Sequence, residues 1–398
     1  MALFNAGMIS LVAGYMLSQF YRAFLAVMAP LLMTELGVSA GDLAWSSGLW
    51  FLAFAAPQVA IGWGLDRFGP RRTVGWLLAI GGAGGAALFA MAQGPVAIHA
   101  AMTLIGLGCG PVLMGTYYIF ARNHPPAAFA TLAGIALGLG NLGNILSSVP
   151  LVWLVDALGW RVTLWLLAVL TLAIAVAILT LVRDPASLPA PAGGSGSLAD
   201  IIRIRALWPV LPLLFCGYAT VAAFRGLWAG PYLDQVFGAS PATVGWATLL
   251  MSITITICSF LTGPLTHALR SPRRAILVLN GGTLTTLALL MAFPDNSLAL
   301  AMVLLTCCAL FGSSYALFMA HGRALLPPYL VGRGVTFLNT FSIGGAGVLQ
   351  FSSRGVFEAA AANAPPVTAY TTLFAFFFVP TAIGWLIFAT LTSEHDNV

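Results

Sequence analysis

Apolar residues fill twelve long runs along the chain, separated by short stretches rich in glycine, proline or charge. The runs fall near residues 6–36, 43–64, 73–93, 96–121, 127–155, 160–182, 206–235, 243–267, 275–293, 297–321, 334–361 and 367–391. About 20 apolar residues in a helix cross the roughly 30 Å hydrocarbon core of a bilayer, and the runs have about that length. The pattern predicts an all-α membrane protein with twelve transmembrane helices.

A sequence signature in the first run recurs in the seventh. GYMLSQFYR at residues 14–22 is echoed by GYATVAAFR at residues 217–225, with glycine, tyrosine, an aromatic residue and arginine at the same spacing. The repeat predicts two pseudo-symmetric six-helix halves, residues 1–184 and 206–398. Residues 185–205 should join them as a cytoplasmic linker and interfacial segment, because the Pro/Gly/Ser-rich part cannot bury enough apolar surface to fold.

Composition excludes an ordinary soluble domain, since charged residues make up only 7% of the chain against about 25% in soluble proteins. All 16 Lys+Arg positions are arginine. The net charge of +5 could suggest nucleic acid, but the arginines cluster in short loops between apolar runs. The positive-inside rule explains them better. It places both termini and most loop arginines on the cytoplasmic side of the inner membrane, with Arg161 alone in an outer loop. We therefore expect no nucleic-acid partner.

Arg22 and Arg225 each lie within an apolar run. A central arginine costs roughly 2.5 to 3.5 kcal/mol on insertion scales, which marks such a residue as a candidate functional site. The same helical faces carry further aromatic and polar residues, namely Tyr15, Gln19, Tyr218 and Trp228. All acidic residues fall at predicted helix ends, in loops or in the tail. A guanidinium presents a planar fork that matches carboxylate, phosphate or sulfonate oxygens, so the sequence predicts a small anionic substrate.

Other polar residues in the runs are weaker candidates. Arg354 could be a third anion ligand, but Glu358 lies four residues further on and is the expected partner. The five cysteines lie in apolar runs without ligand spacing. We therefore expect no metal and no cofactor. An enzyme would need an acid, base, nucleophile or metal cluster, which the sequence lacks. We expect a transporter and not an enzyme, in a lipid bilayer and as a monomer.

The loop between the second and third runs carries a recognisable motif. Its residues are Gly62, Asp66, Arg67, Gly69, Arg71 and Arg72. With twelve runs and a repeat, this motif resembles the loop-two-three signature of the major facilitator superfamily. The resemblance implies that Asp66 and the arginines stabilise the outward-open state as a gate, with a stop-transfer arginine cluster as the alternative. The second half has His267 where Asp66 lies, so a matching latch is not expected there.

The resemblance can be narrowed by the arginines of the first and seventh helices, each followed by a proline. Arg22 with Pro30, and Arg225 with Pro231, look like organophosphate:phosphate antiporters and related anion porters, where the pair binds the anionic group. The basic residue of their second helix and the histidine of their fifth helix are missing. The superfamily lines its cavity with helices one, four, seven and ten. This adds the further candidates Tyr117, Tyr118 and Tyr315.

The sequence leaves the coupling mechanism open. We expect alternating access with anion exchange, because no embedded carboxylate or histidine could compensate an empty arginine site. The alternatives are a proton-coupled symporter of an organic anion and a proton-coupled exporter of drugs or metabolites. Met102 replaces the arginine that many such exporters carry in the fourth helix, which disfavours the last alternative. We also expect Arg22 and Arg225 to approach each other across a central cavity.

Overall fold

A computed structural model describes residues 5–123, 126–185, 198–327, 330–362 and 364–392. Every regular element in these ranges is helical. The chain divides into two compact units, Met1–Leu188 with Pro241–Leu249, and Pro189–Ser240 with Leu250–Val398. Both chain ends and most of the predicted linker lie outside the described residues.

The helices group into twelve spans within the described ranges, which confirms the predicted fold. The first six are span 1 (Ala6–Tyr21 and Leu25–Leu36), span 2 (Ala40–Ala55 and the helix from Gln58 to the kink at Gly69), span 3 (the remainder of Gln58–Leu77, then Leu78–Ala83 and Gly84–Ala90), span 4 (Pro95–Asn123), span 5 (Pro126–Leu146 and Val149–Leu158) and span 6 (Trp160–Leu181).

The second six follow a short helix at Leu198–Ile202 and a turn of 3-10 helix at Arg205–Leu207. They are span 7 (Val210–Ala223, Phe224–Trp228 and Ala229–Phe237), span 8 (Pro241–Leu269), span 9 (Pro272–Ala292), span 10 (Leu298–Phe311 and Tyr315–Ala324), span 11 (Val331–Ala361) and span 12 (Pro366–Leu391).

Length and hydropathy alone identify fewer spans than twelve. Eight described helices are long and apolar enough to cross a membrane. The number rises to ten if each of two bent pairs of shorter helices is counted as one further span. One of the eight, Gln58–Ala90, contains Gly69 at φ 81° and belongs to two consecutive spans. Span 11 has 31 residues, and Asn339 and Gln350 lower its hydropathy. The breaks and the polar residues account for the difference.

Glycines bring neighbouring helix backbones into direct contact inside each unit. A Cβ added at these positions would lie 2.3 Å from the Trp50 carbonyl oxygen for Gly106, 1.9 Å from that of Met16 for Gly143, and 2.2 Å from that of Phe215 for Gly345. No side chain fits at such distances, so only glycine permits these approaches. Small residues have this role in membrane helices because lipid provides no hydrophobic force to press helices together.

Some buried polar side chains bond between helices of the same unit. The Tyr21 hydroxyl lies 2.8 Å from the Thr171 hydroxyl and donates to the Leu167 carbonyl oxygen at 3.3 Å, which joins span 1 to span 6. Large apolar residues on outward faces are exposed, as for Val169 of span 6 at 63% and Leu386 of span 12 at 57%. These faces have the character expected of lipid contact.

Candidate functional site

Arg22 lies at a break in span 1. The first helical segment ends at Tyr21, the second begins at Leu25, and their axes differ by 50°. The backbone N–H of Ala23 bonds to the Phe20 carbonyl oxygen at 3.0 Å, three residues back, so the chain tightens where the helix turns. Pro30, which the sequence places after Arg22, lies inside the second segment and not at the break.

Three aromatic rings of span 2 surround the half-buried Arg22 guanidinium. Its Cζ lies 5.2 Å from the ring centroid of Trp50, 5.8 Å from that of Phe51 and 5.4 Å from that of Phe54. Each distance is within the range of a cation–π interaction, worth about 0.5 to 2 kcal/mol depending on desolvation. Aromatic faces attract the cation but carry no net charge, so they hold Arg22 without neutralising it.

Tyr15 and Gln19 lie on span 1 before Arg22 and are both buried, at 4% and 7% exposure. The Gln19 amide nitrogen donates to the Asn141 side-chain oxygen of span 5 at 3.4 Å. The Asn144 amide donates to the same oxygen at 3.4 Å. Among the described residues, the Gln19 side-chain oxygen has no hydrogen-bond partner. Gln19 thus belongs to an amide cluster in the first unit.

Arg225 also lies where a helix departs from regular α geometry. Residues Phe224–Trp228 form a π-helical segment between two α-helical parts of span 7. Such segments are rare and frequently found at functional sites. The Arg225 side chain is only 4% exposed. Its Nε and Nη2 donate to the Ser252 hydroxyl of span 8 at 3.0 and 2.7 Å. A neutral hydroxyl fixes the guanidinium plane and leaves the positive charge in place.

Two aromatic clusters contain the remaining candidates of the second unit. The rings of Tyr218 and Tyr315 lie 5.9 Å apart, and the Tyr315 hydroxyl donates to Asn339 of span 11. Trp228 is fully buried, and its indole N–H donates to the Ser353 hydroxyl at 3.1 Å. The structure thus brings Tyr218 and Tyr315 together, whereas the indole N–H of Trp228 is already bonded to Ser353 of span 11.

Tyr118 lies close to the residues of the loop motif. Its ring is 4.8 Å from the Arg122 guanidinium, and the Asp66 and Asp184 carboxylates lie near its hydroxyl. Tyr117, the next residue in span 4, is half-buried. The structure therefore places Tyr118 beside residues of the predicted gate, and its role in substrate binding stays a prediction.

The loop motif is built around the kink at Gly69. Asp66, Arg67, Arg71 and Arg72 are all exposed. The Arg67 guanidinium lies over the rings of Trp63 and Phe68, at 5.2 and 5.8 Å. Gly62 is half-buried, and a Cβ added there would have open space around it. Space does not restrict that position to glycine.

Asp184, at the end of span 6, caps the helix that follows the kink. Its carboxylate accepts from the Arg71 backbone N–H at 2.8 Å. A Cβ on Gly69, whose φ is 81°, would lie 2.5 Å from the same carboxylate. The sequence predicted no role for Asp184. Its only signal in the sequence is that it is an acidic residue just after an apolar run. The acid satisfies an orphan N–H and faces the positive end of the helix dipole.

The second unit uses different residues at the corresponding loop. Ser271 caps span 9, because its hydroxyl accepts from the Arg274 backbone N–H at 3.3 Å. Arg273 donates to the Thr392 hydroxyl at 2.8 Å and to the Ala389 carbonyl oxygen at 2.6 Å, both at the end of span 12. In each unit the loop is thus tied to the end of the last span of that half.

Carboxylates are confined to the ends of spans. Each acidic residue in the described ranges lies within three residues of a helix end or in a connection between helices. The Arg354 Nε lies 3.0 and 3.2 Å from the two carboxylate oxygens of Glu358, so the predicted pair is confirmed. Among the described residues, no group of three or more His, Cys, Asp or Glu side chains could hold a metal ion.

Arg22 lies in the first unit and Arg225 in the second, and their approach to each other stays a prediction. What the structure adds within each unit is the immediate environment of the arginine: three aromatic rings for Arg22 and a serine hydroxyl for Arg225. Sequence reasoning missed both. The sequence WFLAF at residues 50–54 offers a signal, since its aromatic positions share one helical face. Nothing marked Ser252 among the hydroxyl residues of span 8.

Comparison with known proteins identifies a family. The model described as Major Facilitator Superfamily matches residues 11–348. A probable sulfoacetate transporter of Cupriavidus necator is 30% identical over 152 residues, which cover 37% of this chain and 34% of that relative. An uncharacterized MFS-type transporter of Mycobacterium tuberculosis is 28% identical over 157 residues, covering 38% of this chain and 26% of that relative. The chain therefore matches only about a third of the first relative and about a quarter of the second.

Solved structures with the same fold cover almost the whole chain. A bacterial homolog of the human lysosomal transporter Spinster, in an inward-facing unoccupied conformation, has a TM-score of 0.75 and 17% identity and covers 98% of both chains. A D-xylose-proton symporter has a TM-score of 0.77 and 14% identity, with 99% of both chains covered. At these identities the likeness establishes the fold.

Proposed function

Because the chain belongs to the major facilitator superfamily of membrane transporters, we propose that it carries a small organic or inorganic anion by alternating access, through exchange. The observation that carries the proposal is the pair of arginines at equivalent positions of the repeat, each at an irregularity of its helix. The partners described for Arg22 and Arg225 are aromatic rings and a hydroxyl, which are neutral groups. Neutral contacts of this kind position a guanidinium but do not themselves neutralise its charge.

The proposed substrate class is a carboxylate, phosphate ester, phosphonate or sulfonate. Each presents two or more oxygens to a guanidinium fork, which a single ammonium group cannot match in geometry. The resemblance of a 152-residue stretch to a probable sulfoacetate transporter agrees with this class, because sulfoacetate carries both a sulfonate and a carboxylate. Uncharged hydrogen-bonding groups would come from Tyr15, Gln19, Tyr218 and Tyr315. The three aromatic rings of span 2 would hold the Arg22 guanidinium in place.

We propose that both termini lie on the cytoplasmic side of the inner membrane. In that orientation the loop motif with Asp66, Arg67, Arg71 and Arg72 is cytoplasmic, where we propose that it acts as a gate. Tyr118 and Asp184 join this gate through their interactions with Asp66 and Arg71. A proton-coupled symporter of an organic anion is the second candidate and uses the same arginines.

The decisive experiment measures binding to purified protein. A panel of anions from the four classes is screened by thermal stabilisation, and the best ligand is titrated against wild type, Arg22→Lys and Arg225→Lys. Each lysine keeps the charge but loses the fork, so we expect Kd to rise about tenfold or more. Arg323→Lys, at an exposed position of span 10, is the matched control. Wild-type affinity in both lysine variants would reject the anion site.

A further inference from the structure

The segment before span 7 folds back on itself at the edge of the second unit. The Trp208 indole N–H donates to the Ile202 carbonyl oxygen at 2.9 Å. Ile201 and Leu207 are buried at 2% and 1% exposure, whereas Ile202 and Trp208 are exposed at 47% and 57%. Two residues thus anchor the segment to the unit, and two present apolar surface outward. Residues 201–208 are called the basic segment below.

A cleft of about 560 Å³ opens on the basic segment, lined by Ile202, Arg203, Arg205 and Trp208. The Arg203 side chain is 80% exposed and lies 3.7 Å from the Asp200 carboxylate. An exposed ion pair of this kind is worth at most about 1 kcal/mol, so Asp200 holds Arg203 weakly. The two guanidiniums and one carboxylate carry a net charge of +1, and the cleft is therefore suited to a phosphate group.

An apolar groove of about 700 Å³ continues from the cleft, because Ile202 and Trp208 line both. Further along it is lined by Leu211 and Phe215 of span 7, Phe341 of span 11 and Ile383 of span 12. Its lining on span 11 runs from Phe337 to Leu349, twelve residues apart, or roughly 18 Å at the helical rise. Half of the hydrocarbon core is about 15 Å. The groove therefore has the length of one leaflet.

We propose that the cleft and groove together form a binding site for one anionic phospholipid, its phosphate against Arg203 and Arg205 and an acyl chain along Phe215 and Ile383. The charged cleft and the apolar groove are continuous, so a ligand that fills both needs a phosphate group joined to an apolar chain. A soluble phosphate would leave the groove unused, and a neutral apolar molecule would leave the guanidiniums unused. Basic residues beside membrane spans attract anionic headgroups in this manner.

The test measures lipid retained by the purified full-length protein. The protein is equilibrated with equal amounts of phosphatidylglycerol and phosphatidylcholine, and bound lipid is counted by native mass spectrometry. We expect wild type to prefer phosphatidylglycerol and the preference to fall roughly tenfold or more in the double variant Arg203→Gln/Arg205→Gln. The matched control, Arg270→Gln/Arg323→Gln, removes two exposed arginines of the same half and should leave the preference unchanged.

Two further measurements separate the lipid from other occupants. Ile383→Trp obstructs the groove without changing charge, and we expect it to lower phosphatidylglycerol retention. Inorganic phosphate added in excess should not displace the lipid. Equal retention of both lipids by wild type, unchanged preference in Arg203→Gln/Arg205→Gln, unchanged retention in Ile383→Trp, or displacement by inorganic phosphate would each overturn the proposal. None of these measurements reads anion binding at Arg22 or Arg225, so their failure leaves the proposed function untouched.

Discussion

A single hydroxyl, that of Ser252, accepts hydrogen bonds from two nitrogens of Arg225, and both residues are almost fully buried. Arginine has several rotatable bonds, and an unrestrained guanidinium would lose much entropy on binding a ligand. Ser252 restrains it before the ligand arrives. We therefore regard Ser252 as a positioning residue for the proposed anion site, acting through Arg225.

Replacing Ser252 by alanine should weaken anion binding. Hydrogen bonds to charged groups contribute about 1.5 to 3 kcal/mol, so a rise in Kd of about tenfold or more is expected. Isothermal titration of purified Ser252→Ala gives the value. Ser259→Ala is the control, because Ser259 lies on the same span, is exposed, and its hydroxyl donates to the Ile255 carbonyl oxygen of its own helix at 2.8 Å. Equal effects of both variants would argue against positioning.

The aromatic rings around Arg22 allow a second residue-level prediction. Phe54→Leu keeps an apolar side chain but removes one cation–π partner, so anion affinity should fall about twofold to tenfold. Phe89→Leu is the control, because Phe89 is also buried in the first unit and packs on Phe24. Titration of both variants with the same anion compares them. An unchanged Kd in Phe54→Leu would show that Trp50 and Phe51 suffice.

Residue positions were predictable from the sequence where they carry a charge in an apolar run, as for Arg22, Arg225 and the pair Arg354 and Glu358. The partners of Arg22 and Arg225 were not. Span 8 contains several hydroxyl residues of similar appearance, and only the rotation of the helix selects Ser252. Trp228 satisfied the same helical spacing as the arginine, yet its indole is bonded to Ser353. Spacing along one helix does not report what the neighbouring helix supplies.

Helix breaks are the main feature at the scale of elements, since Arg22 and Arg225 both lie at one. The hydropathy pattern predicted the runs but not these breaks, because neither coincides with a proline. Pro30 and Pro231 lie within regular helical segments that follow. The Gly69 kink falls in the loop predicted between the second and third runs, but the approach of the Asp184 carboxylate from span 6 was not predictable. Long-range contacts of this kind leave no local pattern.

The Asp184 cap gives a prediction about stability. Asp184→Ala removes the acceptor for the Arg71 N–H, and loss of a helix cap costs about 0.5 to 2 kcal/mol. We expect a lower Tm in thermal unfolding of purified protein, with a smaller loss in Asp184→Asn, which keeps an acceptor oxygen. Asp156→Ala, at an exposed acid near the end of span 5, is the control. A Tm equal to wild type in Asp184→Ala would show that solvent replaces the cap.

The gate prediction concerns Asp66, which is exposed and is distant in sequence from both Arg22 and Arg225. Asp66→Ala should change the balance of inward-open and outward-open states and the transport rate, with little effect on Kd for the anion. Spin-label distances across the cytoplasmic ends of the halves report the balance. Distances like those of wild type would favour the alternative, in which the arginines of the loop only fix topology.

At the scale of the whole molecule, the proposed exchange follows from electrostatics if Arg22 and Arg225 meet in one site, as predicted. That site, when occluded and cut off from water, would hold two guanidiniums whose charges repel each other more strongly at low dielectric. A bound anion would remove that repulsion. The described acidic residues lie near span ends. The loaded carrier should therefore change state more readily than the empty one.

Proteoliposomes test this directly. Uptake of labelled anion should accelerate when unlabelled anion is present inside, and should stay slow in empty vesicles. The double variant Arg22→Lys/Arg225→Lys serves as the background. Rapid uptake into empty vesicles under an imposed proton gradient would instead establish symport, with the two arginines still serving as the anion site.

The glycine contacts between backbones limit how this transporter can acquire a new substrate. Positions such as Gly106, Gly143 and Gly345 accept no side chain, because any added atom would collide with a neighbouring backbone. The close backbone contacts fix the relative positions of these helices. Mutations therefore cannot reshape the site by sliding or rotating the helices against each other. Changes of specificity must come from exchanging side chains on a constant scaffold, at positions such as Gln19 and Ser252. Directed-evolution libraries for this chain should therefore hold the glycines fixed and vary those positions.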